Sequence, residues 1–248
     1  MRIAFIGCMV LGREVNRLAS ESGHAIRTWW LRQGLHETPD LLRRALQEKI
    51  DEVEAENEML PAHLRFEAIV FGYGLCSNGV IGLTSQSLPL IIPRCDDCIS
   101  LFLGSADRYR EMFRKFEGAF WYNTGWMEHS FYPSRKNYAR RRAEYAEMYG
   151  EENADFLMES MNNWMTEYRS CGYITSPVYE DPANEADAKQ AAADFGWKFA
   201  KVEGDMRYID LLVNGPWNDD EFLTCPPGYQ VAAQYDNGKI RAVPVDEI

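Results

Sequence analysis

The sequence predicts an α/β fold whose sheet is largely parallel and covered by helices. Short runs rich in β-branched and aromatic residues alternate along the chain with longer mixed runs, as in repeated strand–helix–strand units. In addition, Thr38-Pro39-Asp40 supplies an N-cap, a proline at the first helical position and an early acid, which together indicate the start of a helix. We therefore expect neighbouring strands with helices crossing between them.

The elements of the first half follow from these patterns in chain order. The apolar runs that predict strands are bounded by turn residues, and the longer runs between them predict helices. Strands are expected at 2–7, 24–31, 66–72, 88–92 and 118–123, and helices at 11–22, 39–58 and 99–104.

The second half begins with a different kind of sequence. From 134 to 169 the chain is polar and rich in Met and Tyr, and the charged stretch RRRAEYAEMYGEEN predicts a solvated helical hairpin rather than a partner-binding surface. Shorter strands are then expected at 172–176, 198–202 and 221–224, with helices at 185–195 and 206–213. The whole pattern predicts a Rossmann-like fold of two α/β lobes with a helical insertion: residues 1–130 form the lobe that carries most of the cysteines, 131–170 the helical segment, and 171–248 a second, smaller lobe.

Composition narrows the class of protein and its partners. The chain has 248 residues, enough for one large domain or two small ones, and 46% of them are hydrophobic, as in a folded protein. A net charge of −12 repels nucleic acid and anionic membranes, so a small-molecule substrate or another protein is the expected partner. The sequence has no apolar run of membrane-spanning length, and MRIAFIGCMV shows no cleavable signal pattern. The six cysteines are therefore expected to be reduced thiols in the cytoplasm.

Three cysteines follow three of the predicted strands. Cys8 follows the first strand, Cys76 in YGLCSNG the third, and Cys98 in PRCDDCISLFLGS the fourth. His36 in QGLHETP follows the second strand in the same way. The carboxyl ends of parallel strands meet at one edge, where open α/β sheets bind their ligands. We therefore expect Cys8, Cys76, Cys98 and His36 to form one metal site.

Thiolates and histidine are ligands of zinc, and thiolates also hold iron–sulfur clusters. Cys98 stands at the start of a predicted helix, whose dipole is expected to lower the pKa of its thiol. Cys95 forms a CxxC pair with Cys98, but the long helix typical of a thioredoxin-type redox pair does not follow. Cys171 and Cys225 lie in apolar segments and are expected to be small buried side chains.

Glycines surround one of these cysteines. The stretch GYGLCSNGVIGL is expected to form a turn in which a cofactor approaches the backbone at Gly74 and Gly79. The sequence contains no GxxxxGK[ST], no GxGxxG after a strand and no GxSxG, so ATP, dinucleotide and serine-hydrolase functions have no support. A base-off cobalamin carrier is not expected, because no Asp-x-His-x-x-Gly run occurs.

These motifs together resemble one family. IGC near the start, LHETP, VFGYGLCSNGVIGL, IPRCDDCISLFLGS with Tyr109, and YNTGWME look like the bacterial and archaeal domain-of-unknown-function family numbered 1638, and VEGD and CPPGY fit it too. The resemblance covers most of the chain, and the block around Cys76 and Cys98 is its most specific part. The second motif of that family usually reads His-Asp-Cys where this chain reads Asp-Asp-Cys. The resemblance therefore places Cys95 outside the shared set and Asp96 at the position of a histidine.

The resemblance also implies a metabolic setting. Members of that family have no settled activity, but many occur with corrinoid-dependent methyltransferases, which implies one-carbon or methylamine-type metabolism and a corrinoid protein or methyltransferase as partner. Three hypotheses stay open. The chain is a metal–thiolate transferase or lyase with zinc or an iron–sulfur cluster, or a metal-free two-thiol enzyme of the racemase type with a second thiol such as Cys225, or a non-enzymatic accessory protein that holds a metal or cofactor.

Overall fold

A computed structural model describes residues 1–162, 165, 167–236 and 238–247 of the chain. These residues form two compact units, of which the first contains Met1–Tyr109 and Asp205–Ile248 and the second contains Arg110–Gly204. The predicted α/β fold with a largely parallel sheet is confirmed. Among the described residues, the structure contains no helix with both the length and the apolar character that a membrane crossing requires.

Strands and helices alternate through most of the chain. The strands are β1 (Arg2–Cys8), β2 (Ala25–Leu31), β3 (Ala68–Gly72), β4 (Leu90–Pro93), β5 (Ala119–Tyr122), β6 (Ser170–Thr175), β7 (Lys198–Glu203), β8 (Phe222–Cys225), β9 (Tyr229–Ala233) and β10 (Ile240–Pro244). The helices are α1 (Gly12–Glu21), α2 (Pro39–Met59), α3 (Cys98–Phe102), α4 (Ala106–Lys115), α5 (Thr124–His129), α6 (Arg135–Tyr149), α7 (Glu151–Asn162), α8 (Pro182–Phe195) and α9 (Arg207–Asn214).

The sheet of the first unit has the strand order β2-β1-β3-β4-β8. Strands β1 to β4 run parallel, and β8 pairs antiparallel with β4. From β1 the chain passes to β2, which lies next to β1 on one side, and then to β3, which lies next to β1 on the other side. The strand order therefore reverses between β1 and β3, which is the point where open α/β sheets bind ligands at their carboxyl edge.

Apolar burial explains why β1 and β3 lie at the centre of this sheet. All five residues of β3 are buried, and the ring of Phe5 in β1 has no exposed surface. Gly7 and Gly72 face each other across the two strands, and a Cβ atom on either residue would lie within 3 Å of the Phe5 ring. The glycines therefore make room for this aromatic ring just before the strands end.

Helix α2 packs through one apolar stripe. Leu42, Leu46, Ile50 and Val53 are fully buried, with the spacing of three and four residues that places them on the same helix face. The helix begins at Pro39, which follows Thr38 as predicted. Burial of this stripe therefore holds α2 in place.

A buried carboxylate at the end of that stripe fixes the loop before β4. Glu54 accepts hydrogen bonds at its Oε1 atom from the Ser85 and Ser87 hydroxyls and from the backbone amides of Gln86, Ser87 and Leu88. Burial opposes ionisation of Glu54, but these hydrogen bonds outweigh it, so the pKa of its carboxyl lies below the usual 4.5. The charged carboxylate therefore stabilises the entry to β4.

The hairpin of β9 and β10 is fastened to the loop after β4 by a guanidinium group. Arg94 donates from Nε to the carbonyl of Asp219 at 2.8 Å and from Nη1 to the carbonyl of Gly238 at 2.6 Å. It also bonds the carbonyls of Phe222 and Ile240. One side chain therefore connects the end of β4 with β8 and with the hairpin.

The second unit has its own parallel sheet of strand order β5-β6-β7. Its core is built from aromatic and small side chains. Tyr122 and Cys171 are fully buried there, beside Ala188 and Ala191 of α8.

The predicted helical hairpin corresponds to α6 and α7, although residues 163, 164 and 166 of the predicted segment lie outside the described residues. Helix α6 starts at a Ser134 cap, and both helices are largely exposed.

The predicted lobe boundaries at 130 and 170 differ from the observed units. The sequence pattern assigns β5 to the first lobe, but this strand pairs with β6 and belongs to the second unit. The pattern assigns the segment 205–248 to the second lobe, but β8 pairs with β4 and returns this segment to the first unit. The cause is strand pairing between distant parts of the chain, which the local apolar pattern does not encode.

We expect Glu54→Gln to lower the free energy of unfolding at pH 7 by about 1.5–3 kcal/mol, because it replaces charge-assisted hydrogen bonds with weaker ones. The carboxyl pKa is lower in the folded state, so its stabilisation is present above the unfolded value near 4.5 and is lost as the pH falls through the folded value. The difference between the variant and the parent should therefore shrink below about pH 4.5. Urea unfolding at several pH values measures both effects.

Glu58→Gln is the matched control, because Glu58 is an exposed carboxylate on the same helix. It should change the free energy of unfolding by less than about 0.5 kcal/mol. Equal effects of the two substitutions would contradict the role given to Glu54.

Candidate functional site

The three predicted cysteines lie at the carboxyl edge of the central strands. Cys8 is the last residue of β1, and Cys76 lies in the loop that follows β3. Cys98 is the first residue of α3, in the segment after β4. Strands β1, β3 and β4 are neighbours in the sheet, so these residues surround the point where the strand order reverses.

The loop after β3 and the loop after β4 are hydrogen-bonded to each other. The backbone amide of Leu75 donates to the carbonyl of Cys95 at 2.8 Å, and the amide of Cys76 donates to the carbonyl of Asp96 at 2.8 Å. Gly74 makes this approach possible, because a Cβ atom there would lie 2.6 Å from the Cys95 carbonyl oxygen and 2.9 Å from its Sγ. The pairing of β3 and β4 thus continues beyond the strands.

Cys76 begins a left-handed turn. The φ angles of Cys76, Ser77 and Asn78 are +43°, +58° and +67°, and the amide of Gly79 closes the turn on the Cys76 carbonyl at 3.1 Å. Each non-glycine residue in this conformation costs about 1–2 kcal/mol. Backbone strain of this kind concentrates at functional sites. The strained turn therefore marks the Cys76 loop as a candidate site independently of its thiol.

The two glycines predicted to admit a cofactor have contacts within the chain. Gly74 faces Cys95, as described above, and a Cβ atom on Gly79 would lie 2.4 Å from the Leu42 side chain of α2. Close packing thus accounts for the absence of a side chain at both positions. A cofactor at Gly74 and Gly79 stays a prediction.

The thiols interact with one another. Burial raises the pKa of the Cys8 thiol, and Cys8 is only 8% exposed. Burial also raises the pKa values of Cys76 and Cys98, and the negative charges of Asp97 and of the neighbouring thiolates raise both further. All three groups are therefore neutral thiols at pH 7 when nothing is bound to them.

The expectation that a helix dipole lowers the pKa of Cys98 is wrong. Helix α3 is short, ending at Phe102, and its first turn is capped by the Asp97 carboxylate, which accepts from the Ile99 amide at 2.9 Å. Burial is the largest cause that raises the pKa of the Cys98 thiol, and the negative charge of Asp97 is the next largest. Burial and a neighbouring negative charge thus outweigh the dipole.

Two aspartates of the CDDC motif have partners. Asp97 caps α3 and accepts a hydrogen bond from the Tyr109 hydroxyl at 3.4 Å, and burial raises the pKa of its carboxyl. Asp96 pairs with Lys239, whose Nζ lies 2.6 Å from its Oδ1. The Asp96 carboxylate is therefore neutralised by a lysine.

The remaining cysteines lie apart from this group or inside the loops. Cys95 is fully buried, and its Sγ donates to the Asp97 carbonyl at 3.5 Å. Cys171 is fully buried in β6 of the second unit. Cys225 pairs with Leu90, the first residue of β4, so it lies at the amino edge of the sheet, opposite to the thiols described above. Cys225 is therefore excluded as a second thiol facing Cys76.

His36 lies half-buried in the short 3-10 turn Leu35–Glu37 that follows β2. Strand β2 is the neighbour of β1, so His36 lies at the same edge of the sheet as Cys8. No hydrogen bond or ion pair of its ring occurs within the described ranges. Its role as a fourth ligand stays a prediction.

One residue of this site has no signal in the sequence. Tyr73 follows β3 directly and is 4% exposed, and its hydroxyl has no hydrogen-bond partner in the part of the chain that the structure describes. The thiols of Cys8, Cys76 and Cys98 all interact electrostatically with this hydroxyl. Only the pairing of β1 with β3 brings Tyr73 to Cys8, and sequence patterns do not show which strands are neighbours.

The donors fit a thiolate-bound metal in their chemistry. Sulfur is the donor that zinc and iron–sulfur clusters prefer, and Cys8, Cys76 and Cys98 lie within electrostatic range of one another. As the side chains lie, no group of three or more His, Cys, Asp or Glu residues among those described surrounds a position for one ion. Coordination of one ion at about 2.3 Å from each sulfur therefore needs these side chains to rearrange.

Comparison with known proteins identifies a family. A family model described as "Protein of unknown function (DUF1638)" matches residues 30–213 of the 248. The matched range contains Cys76, Cys98 and His36, whereas Cys8 lies before it. Neither the curated proteins nor the solved structures include a match. The resemblance inferred from the motifs is confirmed.

We expect Gly74→Ala to lower the free energy of unfolding by about 1–3 kcal/mol, because the added methyl group forces the loops after β3 and β4 apart. Gly12→Ala is the control, since a Cβ atom at Gly12 in α1 meets no atom within 4 Å. That substitution should raise stability by up to about 1 kcal/mol. Urea unfolding measures both variants, and a Gly74→Ala protein as stable as the parent would contradict the close approach.

Proposed function

This chain belongs to the DUF1638 family of proteins of unknown function, and from its site we propose that it is a metal–thiolate protein. In this proposal Cys8, Cys76 and Cys98 hold a zinc ion or an iron–sulfur cluster. The observation that carries it is the convergence of three thiols, from three adjacent strands, on the point where the strand order reverses.

The electrostatics of the thiols support a bound cation. The negative charge of Asp97 opposes ionisation of Cys76 and Cys98, and ionisation of one thiol of the group opposes ionisation of the next. A group of thiolates in such surroundings is unstable unless a cation compensates it, and a metal ion supplies that charge while displacing the thiol protons. Metal binding is therefore the function to which this arrangement is best suited.

The metal would supply chemistry that the side chains lack. Zinc acts as a Lewis acid that activates a thiol or another nucleophile, whereas a cluster held by three cysteines keeps one iron available for a small-molecule substrate. The family resemblance alone suggests one-carbon or corrinoid-linked methyl metabolism, with a corrinoid protein or methyltransferase as partner. Turnover of a small molecule separates a metal-dependent transferase or lyase from an accessory protein that only carries the metal.

The position of Cys225 argues against it as the second thiol of a metal-free two-thiol enzyme. A racemase-type enzyme needs thiols on opposite faces of its substrate, and Cys225 is the candidate for the second one. Cys225 is fully buried and lies at the amino edge of the sheet, whereas Cys76 lies beyond the carboxyl edge. This pair therefore cannot face one substrate.

We expect protein purified without oxygen to contain metal, and each of Cys8→Ser, Cys76→Ser and Cys98→Ser to lose most of it. A protonated hydroxyl is a poor substitute for a thiolate, and the remaining ligands cannot complete the site. Metal analysis of the variants prepared side by side measures the loss. A brown parent protein indicates an iron–sulfur cluster, and a colourless protein with stoichiometric zinc indicates a zinc site.

Cys171→Ser and Cys225→Ser are the controls, because both thiols are fully buried away from the proposed ligands. They should keep their metal and lose at most about 1–2 kcal/mol of stability. Cys95→Ser should also keep its metal, and His36→Ala tests the fourth ligand. A parent protein without metal, or a Cys76→Ser variant with unchanged metal, would contradict the proposal.

A further inference from the structure

The hydroxyl of Tyr73 is a buried polar group that lacks a hydrogen-bond partner among the described residues. Tyr73 is 4% exposed, and within the described ranges no group forms a hydrogen bond with its Oη atom. An unsatisfied hydroxyl opposes folding, and native proteins rarely keep one without a reason. Other buried tyrosines of this chain are satisfied: Tyr122 donates to the Pro133 carbonyl at 2.8 Å, and Tyr208 to the Glu221 carbonyl at 2.8 Å.

The register of the sheet directs this hydroxyl to a proposed ligand. Gly7 of β1 pairs with Gly72, the last residue of β3, and Cys8 and Tyr73 are the residues that directly follow this pair. Side chains at paired positions of parallel strands point to the same face of the sheet. The Tyr73 hydroxyl lies beside the Cys8 thiol and favours its ionised form, although the contact falls short of the full geometry of a hydrogen bond.

We propose that Tyr73 is a positioning residue of the metal–thiolate site, whose hydroxyl donates a hydrogen bond to the Cys8 sulfur when that sulfur binds metal. The inference rests on the proposed function, because a neutral thiol is a weak acceptor and a metal-bound thiolate is a strong one. The hydrogen bond satisfies the buried hydroxyl only in the metal-bound protein. It also orients the sulfur and withdraws electron density from it, as outer hydrogen bonds do at other metal sites.

Co²⁺ added without oxygen to the metal-free protein tests this inference, because cobalt bound by thiolates absorbs light through sulfur-to-metal charge transfer. We expect Tyr73→Phe to bind Co²⁺ about tenfold more weakly than the parent. Its charge-transfer absorption should shift to longer wavelength, since a sulfur without the hydrogen bond is richer in electrons. In the metal-free state Tyr73→Phe should unfold at the same urea concentration as the parent or at a higher one, because the removed hydroxyl had no partner.

Tyr122→Phe is the matched control, because it removes a buried tyrosine hydroxyl that does have a partner. It should unfold at a lower urea concentration and bind Co²⁺ with unchanged affinity and absorption. The opposite effects of the two variants separate positioning of a ligand from a general structural role.

The results that would contradict the inference can be told apart from those that would contradict the proposed function. If Tyr73→Phe binds Co²⁺ with the parent's affinity and absorption, the inference is overturned and the proposed function stands. If metal-free Tyr73→Phe unfolds at a lower urea concentration, its hydroxyl has a partner without metal and the inference is also overturned. If the parent binds no Co²⁺, or if Cys8→Ser binds it as the parent does, the proposed function fails and the inference with it.

Discussion

The approach of the loop after β3 to the loop after β4 is the constraint on which the site depends. Two backbone hydrogen bonds, from Leu75 to Cys95 and from Cys76 to Asp96, hold these loops at strand-like separation. They form only because Gly74 has no side chain where the Cys95 carbonyl lies. Without this contact nothing would set the position of Cys76 relative to the segment that carries Cys98, and the thiols would belong to independent loops.

The left-handed turn at Cys76 shows how that contact is used. Three successive residues with positive φ are unfavourable locally, so neighbouring structure must stabilise the turn. The amide of Cys76 is held by Asp96, and Gly79 at the end of the turn packs against Leu42 of α2. Helix α2 is itself fixed by its buried stripe. Burial of the apolar side chains of α2 is therefore what holds the strained backbone beside the thiols.

The sequence predicts those parts of the protein that follow from local patterns. Apolar runs locate the strands, and the positions of Cys8, Cys76 and Cys98 after three of them are enough to place these cysteines at one edge of the sheet. The pairing of β8 with β4 cannot be predicted in this way. The two strands are far apart in the sequence, and no local pattern shows that they pair. The pKa of Cys98 and the unpaired hydroxyl of Tyr73 cannot be predicted either, because both depend on burial created by tertiary packing.

The β9–β10 hairpin holds the loop after β4 but is synthesised much later than that loop. Arg94 bonds the carbonyl of Gly238, which lies 144 residues further along the chain, and Asp96 is paired with Lys239. A ribosome makes about 5–20 residues per second, so the hairpin is synthesised roughly 7–30 s after the loop that it holds. During that interval the loop after β4 lacks these partners. We therefore expect a metal ion or cluster to bind at the site only after the hairpin has been synthesised, and not as soon as the cysteines have been.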